Sequence, residues 1–289
     1  MKFIAILIAL AIERFLPAIQ YFRDSRPFER YCNWVRRGLG NGPFWDGPIG
    51  VIAVLAGPLI LTSWLQGKLD HGFLMVLGLP FSIGILCACI GPRDVGAQLR
   101  NYRDAVVRHD DAEAEKQAQK MLPNSVPVDP RERNRKVVEY GLAHFLDWLP
   151  GVLFWFVVLG PVGAVLFRMA VVMYRCGLRD NDQSDFMNTV EVLCGLLEWL
   201  PTRITIFAFS LTGSFDDTWQ RVRAIGRGLP WYQRDSALLM AAGLGALKLE
   251  DSGTTTSTEQ VDATLQLFSR AVWAMVGLIA VMTLLGWVK

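Results

Sequence analysis

Hydrophobic residues gather along this chain into long unbroken runs, not into the alternating or one-sided patterns of a soluble fold. Four stretches carry no charge: Pro48 to Gln66, Phe73 to Ile90, Leu149 to Phe167 and Ala271 to Val288. Each approaches the ~20 residues that a helix needs to cross a bilayer. None has the polar stripe through which a surface helix meets water. Met1 to Ile12 is a further apolar piece, and Glu13 and Arg14 follow it directly, before a second apolar run from Phe15 to Phe22. With no small-residue cleavage site, this segment reads as a retained helix and not as a removed leader.

The polar pieces between these runs also have helical spacing. Val95, Leu99, Tyr102 and Val106 mark one amphipathic helix within Asp94 to Leu122,. Asp129 and Pro130 then fit the cap and first position of a second helix, Arg131 to Trp148, with Val138, Leu142 and Phe145 on one stripe,. Farther on, Asp216 to Ile225 and Asp235 to Leu249 read as helices, separated by a turn at Gly226 to Gly228. Ser252 to Thr258 reads as a polar connector.

Charge decides which side of the membrane these pieces occupy. Of the 29 Lys and Arg, six lie between Arg14 and Arg37, ten between Arg93 and Lys136, and ten between Arg168 and Arg270. Cytoplasmic segments are the ones enriched in Lys and Arg, so the N-terminus and the turn Gly67 to His71 are placed outside, and the basic blocks inside. A single full crossing at Leu149 to Phe167 would strand Arg168, Arg175 and Arg179 on the outer face. Partial insertion with a break at Gly160, Pro161 and Gly163 avoids this, since broken helices are tolerated at membrane depth where the freed backbone is buried in protein; an ordinary kinked crossing helix, paired with a second crossing around Phe186 to Gly213, is the alternative the sequence equally permits.

A hydrophobic content of 52% and a mean hydropathy of +0.29 agree with a chain that faces lipid,. Five cysteines without Cys-x-x-Cys spacing and three dispersed histidines point to neither a disulfide framework nor a metal site, and no cofactor is expected,. No phosphate-binding loop, nucleophile elbow, paired-His zinc motif or dinucleotide fingerprint is present. Gly226-Arg227-Gly228 lacks the preceding strand that a phosphate cradle would need,. The basic faces suit an anionic ligand, an acidic partner or lipid headgroups, and nothing points to nucleic acid.

A set of short elements carries a family resemblance: Val137-Val138-Glu139 through Asp147 to Leu153-Phe154-Trp155, then Gly160-Pro161-Val162-Gly163-Ala164 and Phe167-Arg168. Trp199-Leu200-Pro201-Thr202-Arg203-Ile204-Thr205, Leu239-Met240-Ala241-Ala242 and Gly245-Ala246-Leu247 continue the series. Together they resemble the AmpE and CobD/CbiB superfamily, over most of the chain from Leu99 to Leu249. One branch contains cobalamin-pathway enzymes that join an aminoalcohol phosphate to a corrinoid carboxylate. The other is AmpE, an inner-membrane protein linked to β-lactamase induction alongside a cytoplasmic peptidoglycan-fragment amidase. Ala143-His144 stands where the enzymes carry Glu-Asn, and Val171 to Tyr174 replaces their Asn-Thr-Leu-Asp. These departures favour the regulatory branch over an enzyme.

The expectation is therefore an all-α, polytopic inner-membrane protein with about four crossings, two partly inserted segments and a helical cytoplasmic layer,. Its regions are 1–90 with three crossings, 91–148 cytoplasmic, 149–213 partly inserted, 214–268 cytoplasmic and 269–289 a final crossing. The resemblance implies a regulatory or sensory role in peptidoglycan-fragment signalling, the alternative being a membrane-bound amide-forming enzyme. Expected partners are the bilayer and either a cytoplasmic amidase or an anionic small molecule. Glu139, His144, Asp147, Arg168 and Arg203 are the candidate ligand-binding residues, because charges drawn out of water must find partners,.

Overall fold

The computed structural model describes residues 2–15, 26–39, 46–69, 75–90, 95–122, 125–179, 184–226, 236–248 and 257–286. Every regular element among them is an α-helix, in the order α1 (Lys2–Phe15), α2 (Arg26–Leu39), α3 (Pro48–Leu69), α4 (Met75–Cys89), α5 (Val95–Val107), α6 (Asp111–Met121) and α7 (Pro130–Trp148). Then follow α8 (Pro150–Leu159), α9 (Pro161–Arg179), α10 (Asp185–Thr212), α11 (Phe215–Gly226), α12 (Ser236–Ala246) and α13 (Ser257–Leu284). The turn after Gly226, most of the Ser252 to Thr258 connector, the end of the Gly67 to His71 turn and Lys289 lie outside the described residues.

Five helical stretches are long and apolar enough to cross a membrane: Pro48–Leu69, Pro130–Leu159, Pro161–Leu178, Asp185–Thr212 and Thr258–Leu284. The chain is thus an all-helical, multi-pass membrane protein, as its hydrophobic runs indicate. The distribution differs in detail. α1 and α4, counted as crossings from the sequence, are helical over 14 and 15 residues. The last span begins well before the apolar run at Ala271, because α13 enters from the polar layer as one continuous helix.

Local sequence explains where several helices start and stop. The Asp129 carboxylate accepts from the backbone N–H groups of Arg131 and Glu132 at the start of α7, with Pro130 in the first turn,. The single helix expected over Asp94 to Leu122 is instead two, since His109 takes a left-handed φ of 55° and Asp110 caps a new helix by accepting from the Glu113 N–H. A left-handed residue ends a helix by turning its last carbonyls away from the next turn. The Asp110 cap therefore overrides the apolar periodicity that runs through the break.

Two hydrophobic cores result. One lies in the membrane bundle, with Val54, Leu86, Phe156 and Phe167 at its centre. The other lies in the polar layer, where Leu99, Phe145, Phe209 and Phe268 meet, the Phe145 and Phe268 rings stacked at 4.2 Å. α7 and α8 form a near-continuous rod through both, and α10 and α13 also pass from one core to the other. Trp148 packs against both cores at the joint between α7 and α8.

The Gly160-Pro161 break turns α8 and α9 into a hairpin. Gly160 has a φ of 69°, a backbone shape that residues with a Cβ rarely adopt,. Gly163 lets the limbs close, since a Cβ there would collide with the Trp155 carbonyl oxygen. At the hairpin tip the Lys2 ammonium donates to the Val157 carbonyl at 3.0 Å, and Gln66 lies beside Gly160. The tip therefore sits at the same end of the bundle as the start of α1 and the end of α3. At the opposite end of α3, the Asp46 carboxylate accepts from the Phe186 N–H that opens α10. Arg168 and Arg175 accordingly lie on the limb that returns from the tip.

Replacing Gly163 with Ala should cost about 1–3 kcal/mol by overpacking the hairpin against a backbone atom that cannot move aside. Gly84, where an added methyl group would meet no heavy atom within 4 Å, is the control. Gly84→Ala should be neutral or stabilising by up to ~1 kcal/mol through helix propensity. Thermal melting of the purified protein in detergent distinguishes the two.

Candidate functional site

The charges that demand explanation are those buried in apolar surroundings. α7 packs Val137, Val138, Leu142 and Phe145 into the polar-layer core, and the same buried face ends in Asp147, which is 1% exposed. Opposite it, α9 carries Arg168, 2% exposed and the largest fully buried side chain described. One heptad farther along α9 is Arg175, whose Nη2 donates to the Asp147 Oδ2 at 3.1 Å. A seven-residue spacing returns to nearly the same face of a helix, so one stripe of α9 carries both guanidinium groups. The ion pair ties α7 of the polar layer to α9 of the membrane bundle.

Among the described residues Arg168 has no ion pair of that kind. Within electrostatic reach of its guanidinium lie Arg175, Asp147 and Glu29 of α2, and Cys89 at the end of α4 is also near. Its Nη1 is buried and has no hydrogen-bond acceptor among the described residues. An ion removed from water loses several kcal/mol of solvation, which is recovered only through well-placed partners. The site thus contains two cations, one closely paired carboxylate and an unused donor.

The other three predicted residues are placed differently. Glu139, about 12 Å along α7 from Asp147 at 1.5 Å per residue, is bound by Arg135 at 2.9 Å and Lys136 at 3.2 Å on its own helix. His144 stacks on Tyr140 at 4.2 Å, and its Nδ1 lies 3.0 Å from the Tyr140 carbonyl oxygen. The Arg203 guanidinium lies over the Trp199 ring at 5.3 Å on α10. The structure therefore sets Asp147 within electrostatic reach of Arg168, with Arg175 as its direct partner, and gives Glu139, His144 and Arg203 local partners on their own helices.

Some of the site escapes the sequence reading. There Arg175 bears only on topology, although its seven-residue spacing from Arg168 is the available signal. On α10, Glu198 and Thr202 are 2% and 0% exposed, at the level where the helix leaves one core for the other. The Thr202 hydroxyl and the Trp148 indole N–H are buried without a hydrogen-bond partner among the described residues. An acid set within an apolar run, as at Glu198, is a readable sign of buried polarity.

A second polar cluster closes the far end of the polar layer. The Arg133 Nη2 is 3.5 Å from Asp111, Asn134 donates to Gln260 at 2.8 Å and Arg103 to Asp262 at 2.9 Å. Burial pushes the Tyr102 phenol above its ordinary pKa, and a hydrogen bond with Arg133 partly opposes this. These contacts join α5, α6, α7 and α13. The five cysteines are thiols, none of them in a disulfide. Among the described residues, no three His, Cys, Asp or Glu side chains are grouped to hold a metal.

A groove of about 540 Å³ follows one face of α11, lined by Phe215, Asp216, Trp219, Gln220, Arg223 and Ala224. It is remote in sequence and helix from the buried charges. A groove on a solvent-accessible face costs the fold little. A guanidinium inside an apolar core costs much, and so the Asp147, Arg168 and Arg175 cluster is the stronger functional candidate.

Known proteins match this chain along its length. The family model described as "Regulatory signalling modulator protein AmpE" covers residues 1–288. A Chromobacterium violaceum protein named "Cobalamin biosynthesis protein CobD" is 26% identical over 298 residues, spanning 92% of each chain. A protein of the same name from Stutzerimonas stutzeri is 28% identical over 199 residues, spanning 68% of this chain and 62% of its own. No solved structure matches the chain.

Asp147→Asn should destabilise the protein by about 2–3 kcal/mol, near the lower end for a broken buried ion pair because Arg175 is partly accessible. Glu139→Gln should cost under about 1 kcal/mol, since its partners are exposed and on the same helix. Melting of both variants in one detergent tests the ranking.

Proposed function

Because this chain belongs to the AmpE family, we propose that it is a regulatory or sensory component of a bacterial inner membrane, acting in β-lactamase induction through peptidoglycan-fragment signalling. The observation that carries this reading is the Asp147 to Arg175 bridge at 3.1 Å between the polar layer and the membrane bundle. A ligand or cytoplasmic partner that shifts α7 must either move α9 or break a buried ion pair. The charge cluster thereby couples an event on the cytoplasmic face to the packing of the bundle. An amidase that processes peptidoglycan fragments, or an anionic small molecule, fits the basic cytoplasmic blocks by charge.

A second reading is favoured by the two relatives named for cobalamin biosynthesis. In it the chain would join an amine to a carboxylate, with Asp147 and the arginines orienting anionic substrates. Amide formation also requires the carboxylate to be activated, and on this reading acidic groups would hold a metal ion and, through it, the activating phosphates. The pairing of Glu139 with Arg135 and Lys136 on its own helix supports the regulatory reading instead.

In a strain whose chromosomal copy is deleted, the wild-type gene should restore the normal β-lactamase response to an inducing β-lactam. Asp147→Asn, at matched membrane abundance, should shift that response at least several-fold. An unchanged response in the deletion strain contradicts the regulatory reading. ATP-dependent coupling of an aminoalcohol phosphate to a corrinoid carboxylate by the purified protein would establish the enzymatic reading in its place.

A further inference from the structure

We propose that Arg168 and Arg175 form a binding site for a phosphate-type oxyanion within the membrane bundle, with Asp147 as the positioning residue that holds Arg175. This inference rests on the geometry of the cluster and stands whether or not the protein regulates β-lactamase.

The first argument is charge balance. Two guanidinium groups share one stripe of α9, and the closest carboxylate, that of Asp147, is already bonded to Arg175 at 3.1 Å. Arg168 is buried within electrostatic reach of Arg175, and it makes no ion pair with a carboxylate among the described residues. A second cation beside a fully buried one makes the pocket favourable to an anion.

The second argument is the unused donor. Arg168 is 2% exposed and flanked by Phe167 and Met169, which are buried in the membrane-bundle core. Its Nη1 finds no acceptor among the described residues. A guanidinium presents N–H groups in a planar fork that matches two oxygens of an oxyanion. Such a ligand would supply both the negative charge and the acceptor, whereas water would supply only the acceptor.

The third argument is shape. Arg168 and Arg175 are about 10.5 Å apart along the helix axis, so their long side chains must converge on anything they share. A planar carboxylate has two oxygens and suits one fork. A phosphate group holds its oxygens tetrahedrally, three free in a monoester and two free plus two ester oxygens in a phospholipid diester, so they point in different directions and can engage both forks. Phosphate chemistry could arrive as a free phosphate compound from the cytoplasm or as the headgroup of an anionic phospholipid beside the bundle.

The test uses full-length protein in nanodiscs and reads the melting temperature. In one arm, inorganic phosphate is added to protein in phosphatidylcholine discs, against chloride at the same ionic strength. In the other, phosphatidylglycerol discs replace phosphatidylcholine without added phosphate. Wild-type protein should be stabilised in the first arm if the ligand is free phosphate, and in the second if it is lipid. Arg168→Gln should abolish the response in either arm, and in phosphatidylcholine without phosphate it should melt no lower than wild type, since it removes an uncompensated charge. Arg168→Lys keeps the charge but loses the fork, and should weaken the phosphate response at least tenfold in midpoint concentration, or halve the lipid shift. It serves as the deciding variant if Arg168→Gln does not fold. The proposal is overturned if wild type responds in neither arm, if chloride matches phosphate, or if the Arg168 variants respond as wild type does.

Discussion

A charge in an apolar interior must be matched where it stands, and this molecule depends on how that is achieved around Asp147. The carboxylate closes the buried face of α7, and Arg175 reaches it from α9. Each ion alone would be a large penalty, and together they form a joint between layers. Arg168 adds a second cation to the joint, with a donor that no described residue uses. The cluster is therefore a structural fastening and, on the proposal made above, a seat for an oxyanion.

The two hydrophobic cores give the joint its leverage. The α7 and α8 rod enters one core through Leu142 and Phe145 and the other through Val152 and Phe156. Asp147 and Trp148 occupy the transition between them. Because the α8 and α9 hairpin turns at Gly160 beside Lys2 and Gln66, the return limb brings Arg168 and Arg175 back toward that transition. Lys2 also places a positive charge near the last carbonyls of α8, where a helix end is partly negative. Hairpin and ion pair thus act on the same rod, one at its end and the other at the joint between its two helices.

Much of this architecture is legible in the sequence, for physical reasons. Lipid admits only long apolar helices, so their runs stand out, and Gly160-Pro161 could hardly continue a helix. Asp129 followed by Pro130 marks the start of α7 through its capping chemistry. The break at His109 is hidden because Val106 and the alanines of α6 keep an apolar rhythm across it. Asp147 and Arg168 are identifiable as costly charges, yet the pairing of Arg175 with Asp147 is not, since which residues meet across two helices is a property of their packing. Glu139, His144 and Arg203 have the right chemistry but find partners within their own helices.

The most direct measurement is a double-mutant cycle on the joint, combining Asp147→Asn with Arg175→Gln and reading unfolding free energies in one detergent. A direct buried pair predicts a coupling energy of about 1.5–3 kcal/mol, with the double variant less damaged than the sum of the single ones. Additive losses within about 0.5 kcal/mol would contradict the account, since they would mean that the polar layer and the membrane bundle are not fastened through these two charges.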